Sequence, residues 1–274
     1  MPEGPEIRIA ADQLETVLVD KTVEAVFFSS PTLKRFEPVL TGALVQAVET
    51  RGKAMLTRFD NGLTLYTHNE LHGRWYVGAR GRMPRTRRKL VVGLHTQGHS
   101  ALLFSANKVN VLNEQGVRTH PFLNKLGPDI LAAGLTWRDI AARLTAPEFR
   151  SEPVARLYLD QHFIAGIGNY LRSEILYFAG LHYSARPKDL TDEAIERLAR
   201  QTLATTKRAY HTHGITNGRT QISARYGRGE TRRRNVRHAV FDRALKPCDS
   251  CGTLIQRVDI DFRRLYFCPG CQVP

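Results

Sequence analysis

The stretch CDSCGTLIQRVDIDFRRLYFCPGC, residues 248–271, decides the fold of the C-terminal part of this chain. It holds all four cysteines as two Cys-x-x-Cys pairs, Cys248/Cys251 and Cys268/Cys271, with sixteen residues between the pairs. Each pair can offer two thiolates to one tetrahedral ion, and the intervening residues fit a β-hairpin. The spacing predicts a zinc ribbon with one structural Zn²⁺, because four protein ligands leave no open coordination position. Two disulfides are the alternative, and the lack of a secretory signal pattern at the start of the chain favours zinc.

The chain is strongly basic, and its charge is clustered. Its 274 residues carry a net charge of +14. Residues 201–247 contain eleven basic and two acidic side chains, and residues 74–89 contain seven basic side chains and no acidic one. Both clusters resemble loops rather than a basic amphipathic helix, which favours a nucleic-acid partner over a membrane surface. No apolar run approaches the ~20 residues of a membrane span. The interpretation is a globular, cytoplasmic protein.

N-terminal to the ribbon, the sequence has helical character. Thr136 is a suitable N-cap for a helix over 137–145, with Asp139 at the capping-box position. Pro153 can open a helix through Asp160, and Thr191 can cap a helix over 192–209. A tight turn at Gly166-Ile167-Gly168-Asn169 leads into a further helix through residue 178, and such a helix start attracts phosphate. A plain helix–turn–helix connection has the same pattern. Residues 211–238 show no clear periodicity and are predicted to form a mobile basic loop.

Residues 20 to about 115 have the pattern of β-strands. The runs 55–59 and 63–67 flank Asp60-Asn61-Gly62, a strong hairpin signal, and residues 90–94 and 101–105 form a second candidate pair. These strands predict an antiparallel sandwich with the first helix packed on it. The fold class is α+β. The predicted divisions are a β-sandwich domain at 1–120, a linker at 121–134, a helical domain at 135–238 and the ribbon at 239–274.

The N-terminus, Met1-Pro2-Glu3-Gly4-Pro5-Glu6-Ile7, contains two residues that are candidates for catalysis. Ile7 begins a helical apolar spacing, and Pro5 suits the first turn of that helix. Removal of Met1 would leave Pro2 as a secondary amine beside the Glu3 carboxylate. An α-amine titrates near 8, so more of it is neutral at pH 7 than of a lysine. The pair is a candidate nucleophile and proton donor, although chain ends are usually frayed and inert.

Taken together, these motifs resemble the endonuclease VIII family of the formamidopyrimidine-DNA glycosylase superfamily, over essentially the whole chain. The segments that carry the resemblance are Pro2-Glu3-Gly4-Pro5-Glu6, Arg51-Gly52-Lys53, Leu159-Asp160-Gln161, Gly166-Ile167-Gly168-Asn169-Tyr170-Leu171-Arg172 and Cys268-Pro269-Gly270-Cys271-Gln272. Gly4 resembles the endonuclease VIII branch, since the formamidopyrimidine branch typically has leucine there. The resemblance implies a bifunctional DNA glycosylase/AP lyase with a helix–two-turn–helix domain in the helical region.

The resemblance also implies roles for particular residues. Pro2 would attack C1′ of the damaged nucleotide, Glu3 would act as the general acid, and Lys53 would hold phosphate and support the site electrostatically. Glu6 would help to position the sugar. Asn169, with Gly168 in the same turn, and Arg263 in the ribbon would contact DNA phosphates. From the residues alone, a lysine in the position of Lys53 is more often a surface residue than a catalytic one. An arginine in a loop, such as Arg263, is usually only solvated.

Residues 70–72 would fill the gap that a flipped base leaves in the stack. Here the sequence departs from the pattern of the family, because Glu70 replaces an uncharged side chain and His72 replaces an aromatic such as tyrosine. A carboxylate near stacked bases is costly unless it accepts a hydrogen bond. Leu71 remains a candidate wedge, although it could equally be a core residue. The departures put the opposite-base preference in doubt and leave the chemistry intact.

The implied partner is double-stranded DNA that contains oxidised bases or abasic sites, bound by a monomer associated with the nucleoid. The predicted function is excision of oxidised bases, with pyrimidines favoured, followed by β,δ-elimination. Two alternatives stay open. One is the same chemistry with 8-oxoguanine or formamidopyrimidine as the main substrate, and the other is a non-catalytic zinc-ribbon DNA-binding protein.

Overall fold

The computed structural model describes residues 2–273, and the chain forms two compact units with their boundary between Leu126 and Gly127. The boundary lies inside the predicted linker 121–134. The ribbon belongs to the same compact unit as the helices that precede it. Within the described residues, no helix is both long and apolar enough to cross a membrane.

The first unit is a β-sandwich with a leading helix, as the hairpin signals predicted. Its helices are α1 (Gly4–Leu18), α2 (Pro31–Lys34), α3 (Glu37–Leu40) and α4 (Glu114–Thr119), followed by a 3₁₀ turn at Leu123–Lys125. Its strands are β1 (Ala25–Phe28), β2 (Val45–Arg51), β3 (Ala54–Phe59), β4 (Thr64–His68), β5 (Arg74–Ala79), β6 (Leu90–His95), β7 (His99–Phe104) and β8 (Lys108–Leu112). They form two antiparallel sheets, ordered β1-β6-β7-β5 and β2-β3-β4-β8.

One apolar core joins both sheets to α1. The apolar face of α1 supplies Ile7, Leu14 and Leu18, which are buried with Phe28 of the first sheet and Met55 of the second. α1 contacts β2 and β3, the hairpin that carries Lys53. The core therefore fixes the start of the chain on the sandwich.

The second unit is helical and ends in a two-stranded ribbon. Its elements are α5 (Trp137–Thr145), α6 (Val154–Leu157), α7 (Asn169–Ala179), a 3₁₀ turn at Pro187–Asp189, α8 (Asp192–His211), α9 (Arg219–Gly227), α10 (Arg233–Val236), β9 (Gln256–Ile260) and β10 (Arg263–Phe267). Leu265 and Phe267 of the ribbon are buried in the same core as the helices, and α7 contacts β10. The ribbon is thus packed on the helix that follows the Gly-Ile-Gly-Asn turn.

Two sequence predictions need correction here. The helix predicted from Pro153 through Asp160 ends at Leu157, and in the turn that follows the Asp160 carboxylate accepts the backbone N–H of His162 (2.8 Å). Residues 211–238, predicted as a loop, contain α9 and α10. The mobility of this segment stays a prediction.

α9 was not predicted from the sequence, because a buried arginine and not an apolar face holds this helix in place. Arg225 is 2% exposed and donates to the backbone carbonyls of Asn235 (2.9 Å) and His238 (2.7 Å). It also pairs with Asp249, between the first two cysteines. An element fixed by hydrogen bonds to a buried guanidinium has no apolar periodicity to detect.

Candidate functional site

The start of α1 places Glu3 at a buried helix N-terminus. Glu3 is the N-cap residue and is 3% exposed, and Pro2 before it is partly buried. Glu3 and Glu6 form a capping box, in which the Glu3 backbone N–H donates to Glu6 Oε2 (3.0 Å). The positive end of the helix favours a carboxylate here. The predicted removal of Met1 concerns a residue outside the described range.

Lys53 lies in the tight turn between β2 and β3. Gly52 and Lys53 form a two-residue loop, because Arg51 pairs with Ala54. Gly52 has a φ of +61°, a conformation that glycine adopts without steric cost. Lys53 is only 7% exposed, so the structure does not support the reading of a plain surface lysine.

The sequence analysis missed His68, which lies opposite Ala54 in the β3–β4 ladder. Burial lowers the pKa of His68 to about 4, and the positive charges of Lys108 and Lys53 act in the same direction. Nδ1 of His68 accepts the backbone N–H of Glu70 (3.1 Å), which leaves the proton of the neutral ring on Nε2. Extending the predicted hairpin register by one residue would have placed residue 68 beside Lys53.

Residues 70–72 project from a closed turn directly after β4. The Gly73 N–H donates to the Asn69 carbonyl (2.7 Å), and a Cβ on Gly73 would lie 2.6 Å from the Asn69 Cα. Glycine is therefore required at the end of the turn. Leu71 is 62% exposed at its tip, which fits the wedge reading better than the core reading.

Two basic side chains contact this turn, and neither was among the site residues predicted from the sequence. Glu70 forms an ion pair with Lys108 on β8 (3.2 Å), so its charge has a partner within the protein. Arg88, from the second basic cluster, donates to the backbone carbonyl of His72, which is itself exposed.

In the second unit, the side chain of Gln161 organises the Gly-Ile-Gly-Asn turn. It accepts the Gly166 N–H (3.1 Å) and donates to the carbonyls of Leu159 and Ile167 (both 3.0 Å). Gly166 has a φ of +108°, which disfavours any residue with a side chain. Gly168 is the N-cap of α7, and Asn169, which is partly buried, is its first residue. The turn thus presents the N-terminus of an eleven-residue helix.

Arg263 is exposed at the first position of β10 and lines a cleft of about 520 Å³ together with Leu159, Asp160 and Arg156. Asn169 does not line this cleft. Arg172 on α7, which is fully buried, donates to the carbonyls of Ala155 (2.7 Å) and Arg264 (3.0 Å), with a longer contact to that of Arg263 (3.4 Å). Arg172 thus ties the ribbon backbone to the helix that begins at Asn169.

The four cysteines converge, as their spacing predicted. Their sulfur atoms all lie within 4.8 Å of one another, with Cys251 Sγ 3.4 Å from those of Cys268 and Cys271. A regular tetrahedron with Zn–S bonds of about 2.3 Å has its sulfurs about 3.8 Å apart. A disulfide needs about 2.05 Å, so the separations fit a shared metal ion better than bonded pairs.

The two units therefore carry different capabilities. The first unit combines a buried carboxylate at a helix N-terminus with a buried lysine, which suits acid–base chemistry. The second unit offers a helix N-terminus, an exposed arginine and a metal-binding cysteine cluster, which suits anion binding.

Known proteins match both units in sequence. Residues 1–110 match the N-terminal domain of formamidopyrimidine-DNA glycosylase, and residues 126–221 match its H2TH domain. The chain is 43% identical over 272 residues to the Endonuclease 8 proteins of Escherichia coli O17:K52:H18 and Salmonella enteritidis PT4, covering 99% of this chain and 100% of each relative.

Solved structures agree on the fold. The Lactococcus lactis Fpg in a complex with DNA containing an abasic site superposes with a TM-score of 0.79 at 18% identity, covering 99% of this chain and 100% of that one. The same protein with DNA containing an N7-benzyl-Fapy-dG superposes with a TM-score of 0.80 at 19% identity, covering all of both chains. With two matching domains and 43% identity over its length, the chain belongs to the endonuclease VIII family of the formamidopyrimidine-DNA glycosylase superfamily, a superfamily of DNA glycosylase/AP lyases.

Proposed function

We propose that the protein excises oxidised bases from duplex DNA, with pyrimidines favoured, and then cleaves the abasic site by β,δ-elimination. The observation that carries the proposal is the Pro2-Glu3 pair at the anchored start of α1, where Glu3 is buried. Family membership supports the reaction class. The solved relatives include Fpg complexes with an oxidised pyrimidine and with an 8-oxoguanine analogue, so the shared fold leaves the lesion class open.

In the proposed mechanism, the neutral Pro2 nitrogen forms a bond to C1′ as the bond from C1′ to the base breaks, and the proton that the nitrogen loses is taken up by the departing base. Glu3 gives a proton to the sugar ring oxygen as the bond between C1′ and that oxygen opens. The nitrogen lone pair then forms the C=N bond, and because Pro2 is a secondary amine the product is a cationic iminium without an N–H. The iminium acidifies C2′, and successive eliminations release the 3′ and 5′ phosphates.

The surrounding residues have supporting roles in this proposal. Lys53 holds a phosphate and stabilises negative charge, while His68 stays neutral near pH 7 because its pKa is about 4. Leu71 and the turn around it fill the space of the flipped base. In the second unit, the turn at Gly168 and Asn169 and the exposed Arg263 bind the DNA backbone. The protein acts as a monomer on chromosomal DNA, which sets its location in the cytoplasm at the nucleoid.

Borohydride trapping tests the reaction. The full chain is incubated with duplexes carrying thymine glycol, 8-oxoguanine, an abasic site or no lesion, and each adduct is mapped by peptide mass spectrometry. We expect an adduct on Pro2 with the thymine glycol duplex, and none when one residue is retained before Pro2. An adduct that forms only with the 8-oxoguanine and abasic duplexes would mean that the main substrate is 8-oxoguanine and not an oxidised pyrimidine. The absence of any adduct from a chain with Pro2 at its N-terminus would leave a non-catalytic DNA-binding protein.

The cysteine cluster is proposed to hold one structural Zn²⁺, ligated by Cys248, Cys251, Cys268 and Cys271. We expect about one zinc per chain by elemental analysis, and unchanged activity in EDTA, because a closed four-thiolate site exposes no reactive position. Cys268→Ala should lose the metal and the DNA affinity, whereas Ser250→Ala, which lies between Cys248 and Cys251 in the other knuckle, should keep both. A metal-free, folded chain with a mass lower by about four hydrogens would establish two disulfides instead.

A further inference from the structure

The tip of the ribbon carries a phenylalanine in an unusual position. Asp261 and Phe262 form the two-residue turn between β9 and β10, and their φ angles are +49° and +61°. The Phe262 side chain is fully exposed (103%). Hairpin turns with positive φ at both positions favour asparagine and glycine, because a side chain is strained there.

Both features of Phe262 cost free energy, and a side chain that is fully exposed buries no surface to offset the strain of its backbone. The strain acts on the backbone, and exposure leaves the whole apolar ring in water. The turn itself is well supported, because Asp261 pairs with Arg156 (2.9 Å) and Arg172 binds the carbonyls of Arg263 and Arg264. A rigid hairpin that presents a bare aromatic ring is typical of a contact residue.

The surroundings of the ring indicate what it contacts. Arg263 and Arg264 follow it directly, and both are exposed. An aromatic ring beside cations matches the surface of DNA, where phosphates alternate with apolar faces of sugars and bases. It matches an acidic protein surface less well, because such a surface offers no regular apolar face beside each negative charge.

We propose that Phe262 is a DNA-binding residue whose ring packs against a sugar or base face of the DNA, next to the phosphate that Arg263 binds. This inference rests on the proposed function, since it takes DNA as the substrate. The ribbon would then have an apolar, salt-independent contact with DNA in addition to the contact that Arg263 makes with a phosphate. Phe262 is not a catalytic residue in this proposal.

The test is fluorescence anisotropy of the full-length, zinc-loaded protein on a duplex with a tetrahydrofuran abasic analogue, over a range of salt concentrations. Phe262→Gly should weaken binding by roughly 5- to 150-fold, as expected for one lost stacking contact. The slope of log Kd against log salt should stay unchanged, because phenylalanine neutralises no phosphate. Arg263→Ala should instead reduce that slope by about one unit. Phe262→Trp should bind within about threefold of the unchanged chain, since it keeps a stacking ring.

Leu245→Gly is the matched control. Leu245 is also exposed (80%) with a positive φ (+64°), but its N–H donates to Ile255 before β9 begins, away from the hairpin tip. Both glycine variants relieve the same kind of strain, and only Phe262→Gly should lose DNA affinity. Urea unfolding should find both variants at least as stable as the unchanged chain, with Phe262→Asn as a second variant suited to positive φ.

Three results would overturn the inference. The first is a Phe262→Gly affinity within twofold of the unchanged chain while that chain binds the duplex well, which leaves the proposed function standing. The second is a fall in the salt slope equal to that of Arg263→Ala, which would mean that the substitution acts by displacing Arg263. The third is equal weakening by Leu245→Gly. If the unchanged chain itself fails to bind the duplex, the proposed function falls first.

Discussion

Glu3→Gln is expected to reduce the rate of base excision by about 10²- to 10⁴-fold while leaving part of the lyase activity on a pre-formed abasic site. Glutamine keeps a side-chain oxygen that can accept the capping hydrogen bond, but it has no proton to give to the opening sugar. An abasic sugar already exists partly as an open aldehyde, which Pro2 can attack without that proton. The two activities should therefore separate in this variant.

The measurement is single-turnover cleavage of a thymine glycol duplex and of an abasic duplex by the same preparation. Glu15→Gln is the control, because it makes the same chemical change on α1 at a residue whose carboxylate pairs with Arg8 (2.7 Å) on the surface. It should retain both activities. Base excision that survives in Glu3→Gln would show that another group supplies the proton.

Glu174→Gln is expected to lower the free energy of unfolding by about 1–3 kcal/mol. Glu174 on α7 is fully buried, and it accepts the hydroxyl of Thr216 and the backbone N–H groups of Ala239 (2.7 Å), Val240 (2.8 Å) and Phe241 (2.8 Å). Burial is the largest influence on the pKa of this carboxyl and raises it on balance, although the four donors act in the opposite direction.

The physical reason for the large effect is that an amide cannot satisfy four donors. In either orientation, the NH₂ group faces at least one buried backbone N–H that then has no acceptor in this site. Urea denaturation measures the loss, and Glu196→Gln on α8, an exposed carboxylate paired with Arg200, should change stability by less than about 0.5 kcal/mol. A loss below about 1 kcal/mol in Glu174→Gln would show that the site accommodates a neutral side chain.

Several elements could be predicted because their signals are local. The capping box of Thr136 and Asp139 begins α5 where expected, and Thr191 caps α8, which extends two residues beyond the predicted end at 209. The Asp60-Asn61-Gly62 turn joins β3 to β4, and residues 90–94 pair with residues 101–104 through β6 and β7. In each case, a few neighbouring residues decide the backbone geometry, so the sequence order suffices.

The features that were not predicted from the sequence depend on residues that are distant along the chain. α9 is fixed by Arg225 through Asp249, which lies 24 residues further along the chain. His68 and Arg172 look like ordinary polar residues in the sequence, and their burial and hydrogen bonds follow only from their neighbours in the fold.

The sequence by itself determined where hairpins turn, where helices begin and which four sulfurs can share a metal ion, because these depend on short-range geometry and spacing. Only the tertiary structure decided that Glu3 and Lys53 are buried and that Phe262 is fully exposed. It also decided that His68 stays neutral and that Glu70 forms an ion pair with Lys108. Burial and charge pairing join residues far apart in the chain, so the dielectric surroundings of each group exist only after folding.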